Sequence, residues 1–371
     1  MGSSFRAFRR YTAMTTGGKL PARQRVRFHL AATLLALSAV TCSTHDLLAD
    51  EDGVSFWIPG LFGSLAATPQ QPGWSLTSFY YHTDVSASGN AAVAREITIG
   101  RFNPTVNISV NANVHAKADL GFVIPTYVFA TPFLGGQASA SLLMAYGNND
   151  TSLNATATVG PFTKSIALQQ DTMGFADLVP QFAGRWNAGV NNYMAYLTGD
   201  IPVGKYGSTD LANIGLGHAA LDGGLGYTYF DPKAGHEFSA VFGLTGNFRN
   251  QSTGYTSGVD SHLDWGASQF LSKQVQVGLV GYFYEQLTSD SGCAPALCPF
   301  KSRVIGIGPQ LGYLFPVGNM QGYFNIKGYG EFDHDNRPDG WNLWLTFVLS
   351  PAAPAAEPAP PPILTKTAPR S

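Results

Sequence analysis

Trp341-Asn342-Leu343-Trp344-Leu345-Thr346-Phe347-Val348-Leu349 alternates with a period of two. Trp341, Leu343, Leu345, Phe347 and Leu349 share one face, and Asn342, Trp344 and Thr346 share the other. Successive strand side chains point to opposite sides, so this stretch reads as a strand with one apolar face. The same alternation recurs upstream. Phe238, Ala240, Phe242 and Leu244 oppose Glu237, Ser239 and Thr245. Leu263, Trp265 and Ala267 oppose His262, Asp264 and Ser268; Tyr193, Ala195 and Leu197 oppose Asn192 and Thr198. No segment carries a long helical stripe.

Working outward, the period predicts twelve strands, at 74–86, 106–131, 136–148, 172–187, 190–204, 218–230, 235–248, 259–272, 274–287, 301–317, 319–332 and 338–349. The phase from Val106 to Ile124 runs through Lys117–Asp119 unbroken, so 106–131 reads as one long strand. Long connections are expected at 149–171, 205–217, 249–258 and 288–300, and short ones at 188–189, 231–234, Lys273 and Gly318. Short turns on one side and long loops on the other mark an outer-membrane barrel. The fold class is therefore all-β, a transmembrane antiparallel up-and-down barrel. An even strand number puts both barrel ends in the periplasm.

Composition agrees. Of 371 residues, 12% are charged, 44% are hydrophobic and 42 are glycine, with a net charge of -2. Half the usual charge density argues against a disordered chain and against a nucleic-acid binder. No apolar run reaches the ~18 residues of a membrane-spanning helix. Arg23, Arg25 and Arg27 precede the apolar stretch Leu30 to Val40, the pattern of a secretory signal. The chain thus divides into a signal region at 1–49, an N-terminal segment at 50–73, the barrel at 74–349 and a Pro/Ala-rich tail at 350–371, expected to be extended and disordered. After export, Cys293 and Cys298 are placed to form a loop-tip disulfide, or to remain two loop thiols. No metal or cofactor site is expected from their surroundings.

Charges among the strands are costly against lipid and cheap against a wet lumen. Asp119, Asp177, Arg185, Asp200, Asp222, Glu237, Asp264, Lys327 and Glu331 are accordingly read as lumen-lining. Just before the first strand, Phe56, Trp57, Ile58, Leu61 and Phe62 form an apolar, Pro-broken segment. It is too short for a strand pair, and leaving such side chains in water is unfavourable by ~1.5–3 kcal/mol each. The periplasmic mouth of the lumen is the nearest shelter, where the segment would act as a plug; a periplasmic lid or a membrane-surface contact is the alternative.

Gly60-Leu61-Phe62-Gly63-Ser64, then Pro72-Gly73-Trp74 leading into Phe79-Tyr80-Tyr81, resembles the start of the "MetA-pathway of phenol degradation" outer-membrane proteins. Val123-Ile124-Pro125-Thr126-Tyr127-Val128-Phe129 followed by Leu134-Gly135-Gly136 adds to the likeness. The resemblance implies an outer-membrane barrel that passes small hydrophobic molecules, with membrane lipid, a small hydrophobic substrate and the barrel assembly machinery as partners. It brings no catalytic motif. A surface structural or adhesive barrel is a second reading. A hydrolase is a third, resting on the acid–His neighbours His82/Asp84, Asp260/His262/Asp264 and Asp333/His334/Asp335.

Overall fold

A computed structural model describes residues 55–91, 108–159, 161–292 and 301–353. Thirteen strand segments follow one another: β1 (Gly73–Ala91), β2 (Ile108–Val128), β3 (Gln137–Val159), β4 (Phe162–Phe175), β5 (Val179–Ala188), β6 (Asn191–Asp200), β7 (Ala220–Asp231), β8 (His236–Asn247), β9 (Asp260–Phe270), β10 (Val275–Gln286), β11 (Arg303–Val317), β12 (Met320–Asp335) and β13 (Asp339–Pro351). Every ladder is antiparallel between neighbours. The sheet closes where β1 meets β13, from Leu76 opposite Leu349 to Ser86 opposite Asp339. Closure removes the free edges that a membrane would not tolerate.

Thirteen segments make twelve staves, because β4 and β5 lie in series along one edge of β3. The outer half of β3 pairs with β4, from Tyr146 opposite Phe175 to Val159 opposite Phe162. Its inner half pairs with β5, from Gln137 opposite Arg185 to Leu143 opposite Val179. Ala176, Asp177 and Leu178 form the break between them. Asp177 holds that break: it accepts hydrogen bonds from the Gly204 and Leu216 backbone N–H groups, both at 2.6 Å, and so ties the long β6–β7 connection to the wall.

The segment 149–171, expected as a loop, is a hairpin instead, formed by the outer part of β3 and most of β4. Its strands alternate Thr, Ser, Asn and Ala rather than apolar and polar residues. Above the hydrocarbon layer there is no lipid to demand an apolar face, so the period-two signal fades while the β-branched threonines keep the strand extended. β2 is one unbroken strand through Lys117–Asp119. Its outer part pairs with β1 as far as Ala91 and with β3 as far as Val159. The signal region, Cys293 and Cys298, and the tail beyond 353 fall outside the described residues. β13 runs on through Ser350 and Pro351, the latter opposite Met320.

The outer surface carries Leu76, Phe182, Leu197, Leu225, Phe242, Leu279, Leu311 and Phe347, all exposed to the surroundings. Trp74, Tyr127, Tyr193, Tyr313 and Trp341 add aromatic rings to that surface. An exposed band of this kind would aggregate in water and is stable against acyl chains. The closed twelve-stave barrel is that of a protein of the bacterial outer membrane.

Candidate functional site: the lumen and the N-terminal segment

Residues 55–72 do not join the wall. Followed back from β1, they climb the inside of the barrel from the short-turn end at residue 72 to the long-loop end at residue 55. Near the start of β1, the Gln70 N–H donates to the Gln137 side chain (2.7 Å). Higher up, the Ala67 N–H reaches Thr228 Oγ1 (3.0 Å) and the Leu65 N–H reaches Glu237 Oε1 (2.9 Å). At mid-height the N–H groups of Gly60 and Phe62 both donate to the Asp264 carboxylate, at 2.9 and 3.0 Å. Arg337, in the β12–β13 connection at the far end, donates to Ser55 Oγ (3.1 Å). The segment thus spans more of the lumen than its mouth.

Its conformation explains why the wall must be polar here. A chain without regular structure cannot satisfy its own N–H groups, and burying them unpaired costs about 1–3 kcal/mol each. The wall supplies acceptors from β7, β8 and β9. The carbonyl side is met as well, since Lys327 Nζ donates to the Gly60 carbonyl (2.5 Å) and sits 4.8 Å from the Trp344 ring centroid. Two glycines permit the close approach. Gly60 adopts φ +86°, and a Cβ there would stand 2.9 Å from the Tyr329 ring. Gly266 presents bare backbone to the segment, and a Cβ there would lie 2.8 Å from the Ser64 nitrogen.

Apolar packing completes the attachment. The Trp57 ring stacks on His262 with centroids 3.7 Å apart. Trp57 is 2% exposed and packs with Phe62, Tyr196, Met194 and Val241. His262 in turn shares Nε2 between Tyr196 Oη and Asp222 Oδ2, each at 3.1 Å, while Thr245 donates to Asp222 (2.6 Å).

Opposite this attachment the lumen is open. A cavity of about 320 Å³ lies between the segment and the wall, lined mainly from β1, β2, β3, β5, β12 and β13 with single residues of β6 and β11. Phe56, Ile58, Leu61 and Phe62 face it from the segment; Phe79, Ile124, Leu143, Val179 and Trp344 face it from the wall. Behind them Phe79 stacks on Phe122 at 4.3 Å. Arg185 closes the short-turn end, donating to Ser139 Oγ (3.1 Å).

The residues singled out from sequence take distinct places. Glu237 receives Ser239 (2.5 Å) and Ser268 (2.6 Å) besides Leu65. Glu331 receives Tyr282 (2.6 Å) and the Gly340 N–H (3.0 Å). Asp200 is buried at the outer end of β6, and one of its carboxylate oxygens has no hydrogen-bond partner in the structure. Asp119 departs from expectation. It shares the face of Val123 and Tyr127, which are exposed, and not that of Phe122, which is buried. It therefore stands on the outer surface of the wall, bonded to Tyr80 and to His82 (2.7 Å). The reason is one of phase: the inward positions of β2 are Leu120, Phe122 and Ile124, so Asp119 falls on the outer face, where Tyr80 and His82 of β1 meet it.

Phe79, Phe122 and Trp344 were not among the residues read as lumen-facing. Trp344 carried the signal: it sits between Asn342 and Thr346 on the polar side of its strand. The three acid–His groups do not converge. His82 is on the outer surface with Asp119, His262 is sealed against Asp222 and Trp57, and His334 pairs with Asp339 (3.3 Å) at the long-loop end.

Among solved structures, the fold is similar to the COG4313 outer membrane channel from Pseudomonas putida F1, with a TM-score of 0.56 and 12% identity over 76% of this chain and 97% of that one. A Pseudomonas aeruginosa FadL homologue aligns at 8% identity with a TM-score of 0.37, over 82% of this chain and 94% of that one. No curated protein matches the chain. The family described as "Putative MetA-pathway of phenol degradation" matches residues 86–347, well over half of the sequence, and the chain belongs to that family.

Proposed function

We propose that this outer-membrane barrel passes small hydrophobic or aromatic molecules through its lumen, along the cavity beside the N-terminal segment. The observation that carries this reading is the two-sided lumen. One side is polar and consumed in holding the segment. The other is a cavity wall on which Phe79, Ile124, Leu143 and Trp344 form an apolar patch among hydroxyl-bearing residues such as Thr77, Thr126 and Ser141. A cavity of about 320 Å³ is at the small end of ligand pockets, which suits a single ring or a short chain. The segment narrows the lumen against water and ions while adding Ile58, Leu61 and Phe62 to the apolar route. The wall residues lie on paired strands, and the segment is held against them by hydrogen bonds to Asp264, Glu237 and Thr228.

The supporting test is accumulation of a radiolabelled apolar aromatic by cells lacking the protein and by the same cells complemented with it. Complementation is expected to raise the initial rate severalfold. It is also expected to fail when Leu143 is replaced by Asp, which puts a charge into the apolar route. Equal rates in deleted, complemented and Leu143→Asp cells, with the protein present in the outer membrane, would reject the proposal.

A further inference from the structure

The carboxylates on the inner wall are unevenly distributed. Glu237 and Asp264 are engaged by the segment's N–H groups, and Asp222 by Thr245 and His262. Among the described residues, none that lines the cavity is an aspartate or glutamate. Two cations do line it, Lys327 and Arg185. Lys327 is accounted for by the carbonyls of the segment and by the nearby Asp264 carboxylate.

Arg185 is not accounted for in the same way. It is 7% exposed, and no carboxylate stands within ion-pair distance of it among the described residues. Its guanidinium has five N–H donors. Ser139 Oγ takes one at 3.1 Å, and the Ala66 carbonyl takes another at a long 3.4 Å. A buried guanidinium with only neutral partners is unfavourable unless something else brings the missing negative charge. The cavity is the open space beside it, and whatever occupies that space is what Arg185 meets.

We propose that Arg185 is the anion-binding group of this cavity, and that the molecules best held there are small apolar monocarboxylates, with the carboxylate on Arg185 and the apolar body against Phe79, Leu143 and Trp344. The inference rests on the lumen being the route proposed above, and it narrows the substrate class of that route. A planar guanidinium matches a carboxylate with two parallel hydrogen bonds, which an ammonium cannot. Arg185 pairs across the ladder with Gln137, at the short-turn end of the barrel. A bound carboxylate would therefore lead toward the periplasm with its apolar body trailing.

The test compares benzoate with benzamide, which has the same shape and no charge. Calorimetric titration of the purified full-length protein in detergent is expected to show benzoate binding about tenfold more tightly, as a charge-assisted bidentate pair exceeds neutral hydrogen bonds. Arg185→Gln is expected to remove that preference, bringing benzoate affinity down to that of benzamide. Arg185→Lys, which keeps the charge but loses the fork, is expected to fall between them. Folding of each variant is checked by heat-modifiable migration. If the Gln variant does not fold, the benzoate-to-benzamide ratio of the native protein and the Lys variant decides. Equal affinity for the two ligands, or undiminished benzoate binding by folded Arg185→Gln, would overturn this inference alone. No binding of either aromatic would overturn it together with the wider proposal.

Discussion

Removal of residues 53–65 is expected to raise single-channel conductance in planar bilayers severalfold while the barrel remains folded. The described part of that segment, from Ser55, fills lumen space with Phe56, Trp57, Ile58, Leu61 and Phe62. Twelve staves lie between eight-stranded barrels, whose side chains fill the interior, and sixteen-stranded porins with an aqueous channel. Taking the segment away shifts this barrel toward the open case. The wall does not depend on the segment, because the β1–β13 ladder closes it independently. Asp264 and Lys327 lose their segment partners and Glu237 keeps Ser239 and Ser268, and in an emptied lumen water replaces what is lost, so no charge is left buried and unpaired. Planar-bilayer recordings, with heat-modifiable migration to verify folding, measure the effect. Unchanged conductance from a folded deletion variant would mean that the segment is not what limits ion flow.

Substituting Asp264 by alanine is expected to produce brief openings that the native protein does not show. Asp264 accepts both the Gly60 and the Phe62 N–H. Hydrogen bonds to a charged group contribute about 1.5–3 kcal/mol each, so losing two weakens the hold on the segment by roughly 3–6 kcal/mol. That corresponds to a shift on the order of 10²–10⁴ between docked and released forms of the upper segment. The lower part stays tied through Leu65 to Glu237 and Ala67 to Thr228, so the loosening is confined to residues above it. Asp264→Asn keeps one acceptor without the charge and is expected to open less often than Asp264→Ala. Recordings of the two variants beside the native channel provide the measurement. Identical traces from all three would show that Asp264 is not what holds the segment closed.

The strands themselves were legible because lipid imposes a rule on sequence. In Trp341–Leu349 the outward residues must be apolar, so the period of two is plain. Where lipid ends, the rule ends, and the 149–171 hairpin escaped notice in a run of Thr, Asn, Ser and Ala. The face of Asp119 was misjudged for a related reason. The expectation that charge faces inward fails on β2, where Leu120, Phe122 and Ile124 take the inward positions. The apolar character of residues 56–62 was visible from composition. Their partners were not, since Gly60 and Asp264 lie 204 positions apart and only the closed barrel brings them together. The same holds for Arg185: its residue type suggested a polar lumen, while its lack of a carboxylate partner is a property of the assembled wall.

The central claim is that the lumen between the N-terminal segment and the Phe79–Trp344 wall holds small apolar molecules. The most direct measurement is anomalous X-ray diffraction at the bromine edge from crystals of the full-length protein soaked in bromobenzene. The account predicts a bromine peak inside the barrel, between Leu61 on the segment and Phe79, Leu143 and Trp344 on the wall. Bromine confined to the lipid-facing surface, with none in the lumen, would contradict it.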